Sequence, residues 1–94
     1  MEKEVIIISA IWCPSCLILN KHLKRIKKEY PDINIKKLDY DLDEEEVTTY
    51  NVGIKLPVII IKENNEEISR LIGEKTYEET IEFLKEGNII WKRN

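Results

Sequence analysis

Hydrophobic and polar residues follow one another along the chain in short blocks that predict strands and helices. Positions 5–8 form a continuous β-branched run, Val-Ile-Ile-Ile, which is typical of a strand buried on both faces. From Pro14 to Glu29, apolar residues recur at steps of three and four, which predicts a helix. The stripe consists of Cys16, Leu19, Leu23, Ile26 and Tyr30. This helix is expected to end at Tyr30, because a residue that precedes a proline avoids helical backbone angles.

The middle of the chain predicts two further strands with a short helix between them. Ile33, Ile35 and Leu38 mark the second strand. The acidic residues at 43–46 place negative charge where the first turn of a helix favours it, and this helix is predicted to end near Tyr50-Asn51. The third strand is predicted at 57–61, with a proline at the first position, which a strand tolerates.

The last third of the chain predicts a hairpin and a final helix. A turn within 62–67 leads to a fourth strand over 67–72. Thr76 is the predicted N-cap of the last helix, with Glu79 three residues later completing a capping box. Gly87 is predicted to end this helix.

The order is therefore β-α-β-α-β-β-α, an α/β fold with helices on both faces of a four-stranded mixed sheet. The first strand–helix–strand unit is expected to be parallel and right-handed. With 94 residues, the chain is expected to form a single domain over 1–94. The pattern does not place the tail at 88–94.

Composition narrows the class of protein. Hydrophobic residues make up 43% and charged residues 35%, a soluble globular profile. With 15 basic against 18 acidic residues the net charge is −3, so we expect no nucleic-acid partner. No apolar run approaches the roughly 20 residues of a membrane span, and none resembles a secretory signal. We therefore expect a cytoplasmic location, no membrane association and a monomer.

Two cysteines carry the most informative chemistry. Cys13-Pro14-Ser15-Cys16 lies where the first strand passes into the first helix. Unpaired N–H groups at a helix N-terminus favour a thiolate, so an exposed Cys13 is expected to attack a substrate disulfide. Cys16, one turn further on, would then attack the mixed disulfide. Pro14 limits backbone freedom between the sulfurs, and Ser15 has a hydroxyl that can donate to a thiolate.

Other interpretations of these residues remain open at this point. A zinc site would need two more ligands, and His22 is the chain's single histidine. Buried cysteines can also be inert. Trp12 either contacts substrate and shields the site or simply packs. Pro57 is either an ordinary trans proline at a strand start or a cis proline that leaves backbone groups free to pair with an extended peptide.

The residues Trp12-Cys13-Pro14-Ser15-Cys16, then Leu56-Pro57-Val58, then Gly73 together resemble the thioredoxin family over roughly residues 4–86. The resemblance implies a minimal thioredoxin fold and thiol–disulfide exchange without a bound cofactor. Its redox group would be a Cys13–Cys16 disulfide.

The resemblance also assigns roles to individual residues. Cys13 falls on the attacking cysteine and Cys16 on the resolving one. Pro57, with Leu56 before it, falls on the cis-proline that faces the dithiol and helps to bind substrate backbone. Trp12 falls on the tryptophan beside the active site. Lys37 matches the lysine of the second strand near the buried cysteine.

Departures from the family pattern shape the functional hypothesis. Ile7 stands where thioredoxins usually have a buried aspartate, and Pro14 is similar to glutaredoxins. Glu74-Lys75-Thr76-Tyr77 lacks the pattern with which glutaredoxins bind glutathione. We therefore expect a protein that reduces protein disulfides and is itself reduced again by a flavoprotein thioredoxin reductase. The alternatives are a glutathione-dependent glutaredoxin-like reductase and a redox-sensing binding module without turnover.

Overall fold

Seven elements follow the predicted order in the computed structural model, which describes residues 2–91. In chain order they are β1 Lys3–Ser9, α1 Pro14–Glu29, β2 Ile35–Asp39, α2 Glu44–Thr48, β3 Val58–Glu63, β4 Glu66–Ile72 and α3 Tyr77–Glu86. The β-α-β-α-β-β-α order is confirmed, while several element ends are shifted. Ile33 precedes β2 and Pro57 precedes β3. The second helix stops at Thr48, and the turn after it reaches Asn51 with a φ of 52°.

The strands form one mixed sheet in the order β2-β1-β3-β4. Strand β1 runs parallel to β2, with Ile8 opposite Leu38, and antiparallel to β3, with Ile8 opposite Val58. Strand β4 is antiparallel to β3 at the edge of the sheet. The continuous apolar runs of the sequence therefore belong to the two central strands, which are covered on both faces.

Alternate residues of β1 enter two separate cores, because successive side chains of a strand point to opposite faces. Ile6 and Ile8 belong to one core, to which α2 contributes Val47. Val5 and Ile7 belong to the other core. Helices α1 and α3 contribute Leu19, Leu23, Ile26 and Leu84 to this second core. Helices thus cover both faces of the sheet, as predicted.

The ends of the helices agree with the predicted capping residues. The Thr76 hydroxyl accepts a hydrogen bond from the Glu79 backbone N–H, and the Glu79 carboxylate accepts one from Thr76 N–H, both at 3.0 Å. Gly87 is the C-cap of α3. Within residues 2–91, no helix has the length and apolar character needed to span a bilayer.

The beginning of the 88–94 tail packs onto the domain. Ile90 is 2% exposed and belongs to the same core as Leu84, and Ile89 packs against that core. Trp91 is exposed. The rest of the predicted tail, 92–94, lies outside the described residues.

Candidate active site

The two cysteines lie at the N-terminus of α1, after the short loop that follows β1. Cys13 is the N-cap residue with extended backbone angles, and Pro14 is the first helical residue, where its missing N–H is least costly. The Cys16 backbone N–H donates a hydrogen bond to Cys13 Sγ at 3.2 Å. The Cys13 sulfur therefore takes the place of a side-chain oxygen at the N-cap, and a helix N–H stabilises negative charge on it.

Both thiols are free, and both residues are buried. Cys16 is 1% exposed, whereas Cys13 is 6% exposed. The expectation of an exposed Cys13 is wrong. The loop before α1 turns back on itself, with Cys13 N–H donating to the Ala10 carbonyl at 3.2 Å, and Leu56 packs in the same core as both cysteines. A small fraction of the Cys13 residue remains accessible.

Burial also controls the ionisation of the inner thiol. Removal from water is the largest cause that raises the pKa of Cys16 from 9.0 to about 12, followed by its hydrogen bond with Cys13. A backbone hydrogen bond from Ala10 acts in the opposite direction on this pKa. Cys16 therefore keeps its proton at neutral pH, and its S–H supports negative charge on the neighbouring sulfur.

The segment that opens β3 lies beside the dithiol. The Leu56–Pro57 peptide bond is cis. Both residues are buried, and Leu56 belongs to the core that contains Cys13 and Cys16. The Pro57 carbonyl accepts a hydrogen bond from Gly73 N–H at 2.8 Å, which attaches the end of β4 to this segment. Gly73 has a φ of 90°, a conformation that L side chains rarely adopt.

Trp12 remains at the surface and does not enter either core. Its side chain is 59% exposed. Its Nε1 donates a hydrogen bond to Asp41 Oδ2 at 2.7 Å, and its ring meets that of Tyr40 edge to face at 6.2 Å. Asp41 carries no sequence signal that connects it with this site, because it lies 29 positions after Trp12 in the chain.

The remaining predicted site residues lie in different surroundings. Pro14 is exposed. The Ser15 hydroxyl donates to Glu74 Oε1 at 2.9 Å rather than to a sulfur.

Lys37 is exposed on β2 opposite Ile7, and the groups that shift the Cys16 pKa are Cys13 and Ala10. The structure therefore does not place Lys37 in contact with the buried sulfur.

His22 is engaged elsewhere in the fold. Its Nε2 lies 3.1 Å from the Lys75 carbonyl oxygen, and its ring meets Tyr77 edge to face. Within the described part of the chain, no group of three or more His, Cys, Asp or Glu side chains is arranged to hold a metal ion.

Apolar side chains are exposed on three further segments. Ile11 precedes Trp12, Ile54 precedes the cis proline, and Ile72 ends β4 next to Gly73; all three are exposed. The sequence pattern gave no reason to select them, because each is a single apolar residue in or beside a loop. Together with Trp12 they are exposed apolar residues on the segments that carry or adjoin Cys13, Pro57 and Gly73.

Comparison with known proteins is consistent with this geometry. A family model described as Thioredoxin matches residues 1–86. Thioredoxin H5 of rice, Oryza sativa subsp. japonica, is 39% identical over 72 residues, which are 77% of this chain and 53% of the rice protein. Thioredoxin of Chlamydia pneumoniae is 30% identical over 69 residues, covering 73% of this chain and 67% of that protein. The chain thus spans about half the length of the first relative.

Solved structures show the same architecture. Thioredoxin-2 of the malaria parasite, described as a component of its protein secretion machinery, superposes with a TM-score of 0.76 at 26% identity. That superposition covers 92% of this chain and 85% of the parasite protein. Fasciola hepatica thioredoxin superposes with a TM-score of 0.81 at 22% identity, over 92% of this chain and 81% of that one. The second likeness concerns the fold alone.

Proposed function

Because the chain belongs to the thioredoxin family, we propose that it is a thiol–disulfide oxidoreductase that reduces protein disulfides through Cys13 and Cys16. One observation carries the proposal. The Cys16 backbone N–H points at Cys13 Sγ over 3.2 Å at the N-terminus of α1, which prepares that sulfur to act as a thiolate. The redox group is the pair of cysteines itself, and no bound cofactor is required.

The first step joins the protein to its substrate. The Cys13 thiolate attacks one sulfur of the substrate disulfide, so a Cys13–substrate disulfide forms and the substrate's other sulfur leaves as a thiolate. Trp12 and the cis Pro57 segment flank the attacking sulfur, and we assign them to substrate contact. Leu56 supports the site by packing, and Pro14 supports it by limiting the conformational freedom of the backbone between the sulfurs.

The second step releases the reduced substrate. Cys16 loses its proton and attacks Cys13 Sγ, which forms the Cys13–Cys16 disulfide and expels the second substrate sulfur. Two electrons pass from the protein dithiol to the substrate, and both substrate sulfurs end as thiols. Once Cys13 is in the mixed disulfide, its hydrogen bond and its charge no longer raise the pKa of Cys16, so deprotonation becomes easier at that stage.

The oxidised protein then needs an electron donor. We propose a flavoprotein thioredoxin reductase, because the segment after Gly73 lacks the sequence pattern with which glutaredoxins hold glutathione. A cytoplasmic location, a monomeric state and a supporting role for Lys37 stay predictions from the sequence. If glutathione reduces the Cys13–Cys16 disulfide and a thioredoxin reductase does not, the assignment of the electron donor would be reversed.

Reduction of insulin by dithiothreitol tests the activity. Wild type is expected to accelerate insulin reduction severalfold over dithiothreitol alone, and Cys13→Ser is expected to abolish the acceleration. Cys13 is replaced by a side chain of similar size, and circular dichroism confirms that the variant is folded. Equal rates for wild type and Cys13→Ser would refute the proposed function. Thiol-dependent binding of a partner without turnover would instead support a redox-sensing module.

A further inference from the structure

A carboxylate from the far end of the chain is held next to the dithiol. Ser15, which lies between the two cysteines, donates its hydroxyl proton to Glu74 Oε1 at 2.9 Å. The two residues are 59 positions apart in the sequence. Glu74 is exposed, so its carboxylate lies at the surface beside the first turn of α1.

The backbone on each side of Glu74 is fixed by a hydrogen bond. On one side, Gly73 N–H donates to the Pro57 carbonyl at 2.8 Å. On the other side, His22 Nε2 lies 3.1 Å from the Lys75 carbonyl oxygen. Glu74 is therefore carried by an anchored segment between the cis Pro57 segment and α1, and its charge has a defined position relative to Cys13.

The charge on Glu74 is not neutralised by an ion pair within residues 2–91. The Lys55 side chain passes beside Gly73, with Cε 3.1 Å from the position of an added Cβ, and Lys75 is the next residue in the chain. Neither lysine forms a salt bridge with Glu74 in this structure.

A second carboxylate, Asp41, is bound to Trp12 beside Cys13. A partner that docks here thus meets carboxylates on two of the segments that surround the dithiol.

We propose that Glu74 is a specificity-determining residue that favours disulfides flanked by lysine or arginine over disulfides flanked by acidic residues. This inference rests on the proposed function, since it names the substrate class of the same site. An exposed ion pair between Glu74 and a basic residue of the substrate raises the affinity by at most a factor of about five. Repulsion between Glu74 and an acidic residue of the substrate lowers the affinity by a similar factor. Salt weakens both effects, because both charges are in contact with water.

Three synthetic peptides test the inference. Each contains one intramolecular disulfide and differs only in the two residues that flank it, which are lysine, serine or glutamate. The measured quantity is the second-order rate constant for reduction by the pre-reduced protein. Wild type is expected to reduce the lysine peptide about tenfold faster than the glutamate peptide at low salt, and this ratio is expected to shrink toward one at 0.5 M salt.

Two isosteric variants identify the source of that ratio. Glu74→Gln is expected to lower the lysine-to-glutamate ratio to about two. Glu82→Gln removes the same charge from an exposed position on α3 and is expected to keep the wild-type ratio. An unchanged ratio in Glu74→Gln, or an equal fall in both variants, would overturn the inference.

The serine peptide separates this inference from the proposed function. If wild type reduces it and Cys13→Ser does not, the oxidoreductase proposal stands whatever the charge ratio is. A wild type that does not reduce the serine peptide faster than Cys13→Ser would overturn the function and the substrate preference together.

Discussion

The indole Nε1 of Trp12 donates a hydrogen bond to Asp41 Oδ2 across 2.7 Å, which joins the loop before Cys13 to the loop after β2. The Trp12 ring also meets the edge of Tyr40. These two contacts hold a large aromatic side chain beside the dithiol while leaving most of it exposed. Trp12 is thus positioned without being buried, which agrees with the substrate contact that we propose for it.

Loss of this hydrogen bond should loosen Trp12 and slow catalysis. In Asp41→Ala we expect disulfide reduction to fall by up to about fivefold, because a hydrogen bond of this kind contributes about 1 kcal/mol. Tryptophan fluorescence anisotropy, recorded in a Trp91→Phe background so that Trp12 is the single tryptophan, should fall at the same time. Asp32→Ala removes an equal charge from an exposed position. Values for Asp41→Ala that match this control would contradict the role given to Asp41.

The raised pKa of Cys16 predicts a pH dependence of stability in the reduced protein. The folded value is about 12, above the ordinary value of 9.0. The stabilising contribution of the neutral thiol is therefore complete below pH 9 and is lost as pH rises from about 9 toward 12.

Urea unfolding under reducing conditions at pH 8, 9 and 10 measures this effect. The free energy of unfolding of wild type should fall relative to that of Cys16→Ala by roughly 1 kcal/mol per pH unit above pH 9. Titrating groups away from the dithiol are common to both proteins and cancel in the difference. The cavity left by Cys16→Ala lowers stability equally at every pH. A wild-type advantage that is the same at pH 8 and pH 10 would show that Cys16 is not the titrating group.

We propose that the folded domain extends beyond α3 to Ile90. Ile90 is 2% exposed within the core formed by α1 and α3, whereas Trp91 is 68% exposed. Ile90→Ala should therefore lower the free energy of unfolding by roughly 2–5 kcal/mol. Trp91→Ala should change it by less than about 0.5 kcal/mol. Similar values for the two variants, measured by urea unfolding, would show that the tail does not belong to the core.

Local patterns in the sequence were enough to predict most of the fold. The apolar run at 5–8 and the stripe from Cys16 to Ile26 identified a central strand and α1, because burial on both faces or on one face leaves a periodic mark. Thr76 and Glu79 identified the start of α3, since both partners of a capping box lie within four residues. Strand ends were less accurate, because pairing with a neighbouring strand determines them.

Features that depend on distant residues could not be predicted in this way. The burial of Cys13 depends on packing against Leu56, and the position of Ser15 depends on Glu74. Gly87 and Asn88 separate the Ile89-Ile90 pair from α3, so no helical periodicity connects Ile90 to that helix. In each case the deciding contact joins residues whose proximity arises only after the sheet has formed.

The account depends most on Cys13 being the attacking sulfur, and trapping of the mixed disulfide tests this directly. Cys16→Ser and Cys13→Ser are each incubated with a disulfide-bonded protein, and the adducts are located by mass spectrometry of tryptic peptides. We predict a stable adduct on Cys13 in Cys16→Ser, and at least tenfold less adduct on Cys16 in Cys13→Ser, because Cys16 is 1% exposed and keeps its proton. No adduct on Cys13, or equal trapping by the two variants, would contradict the account.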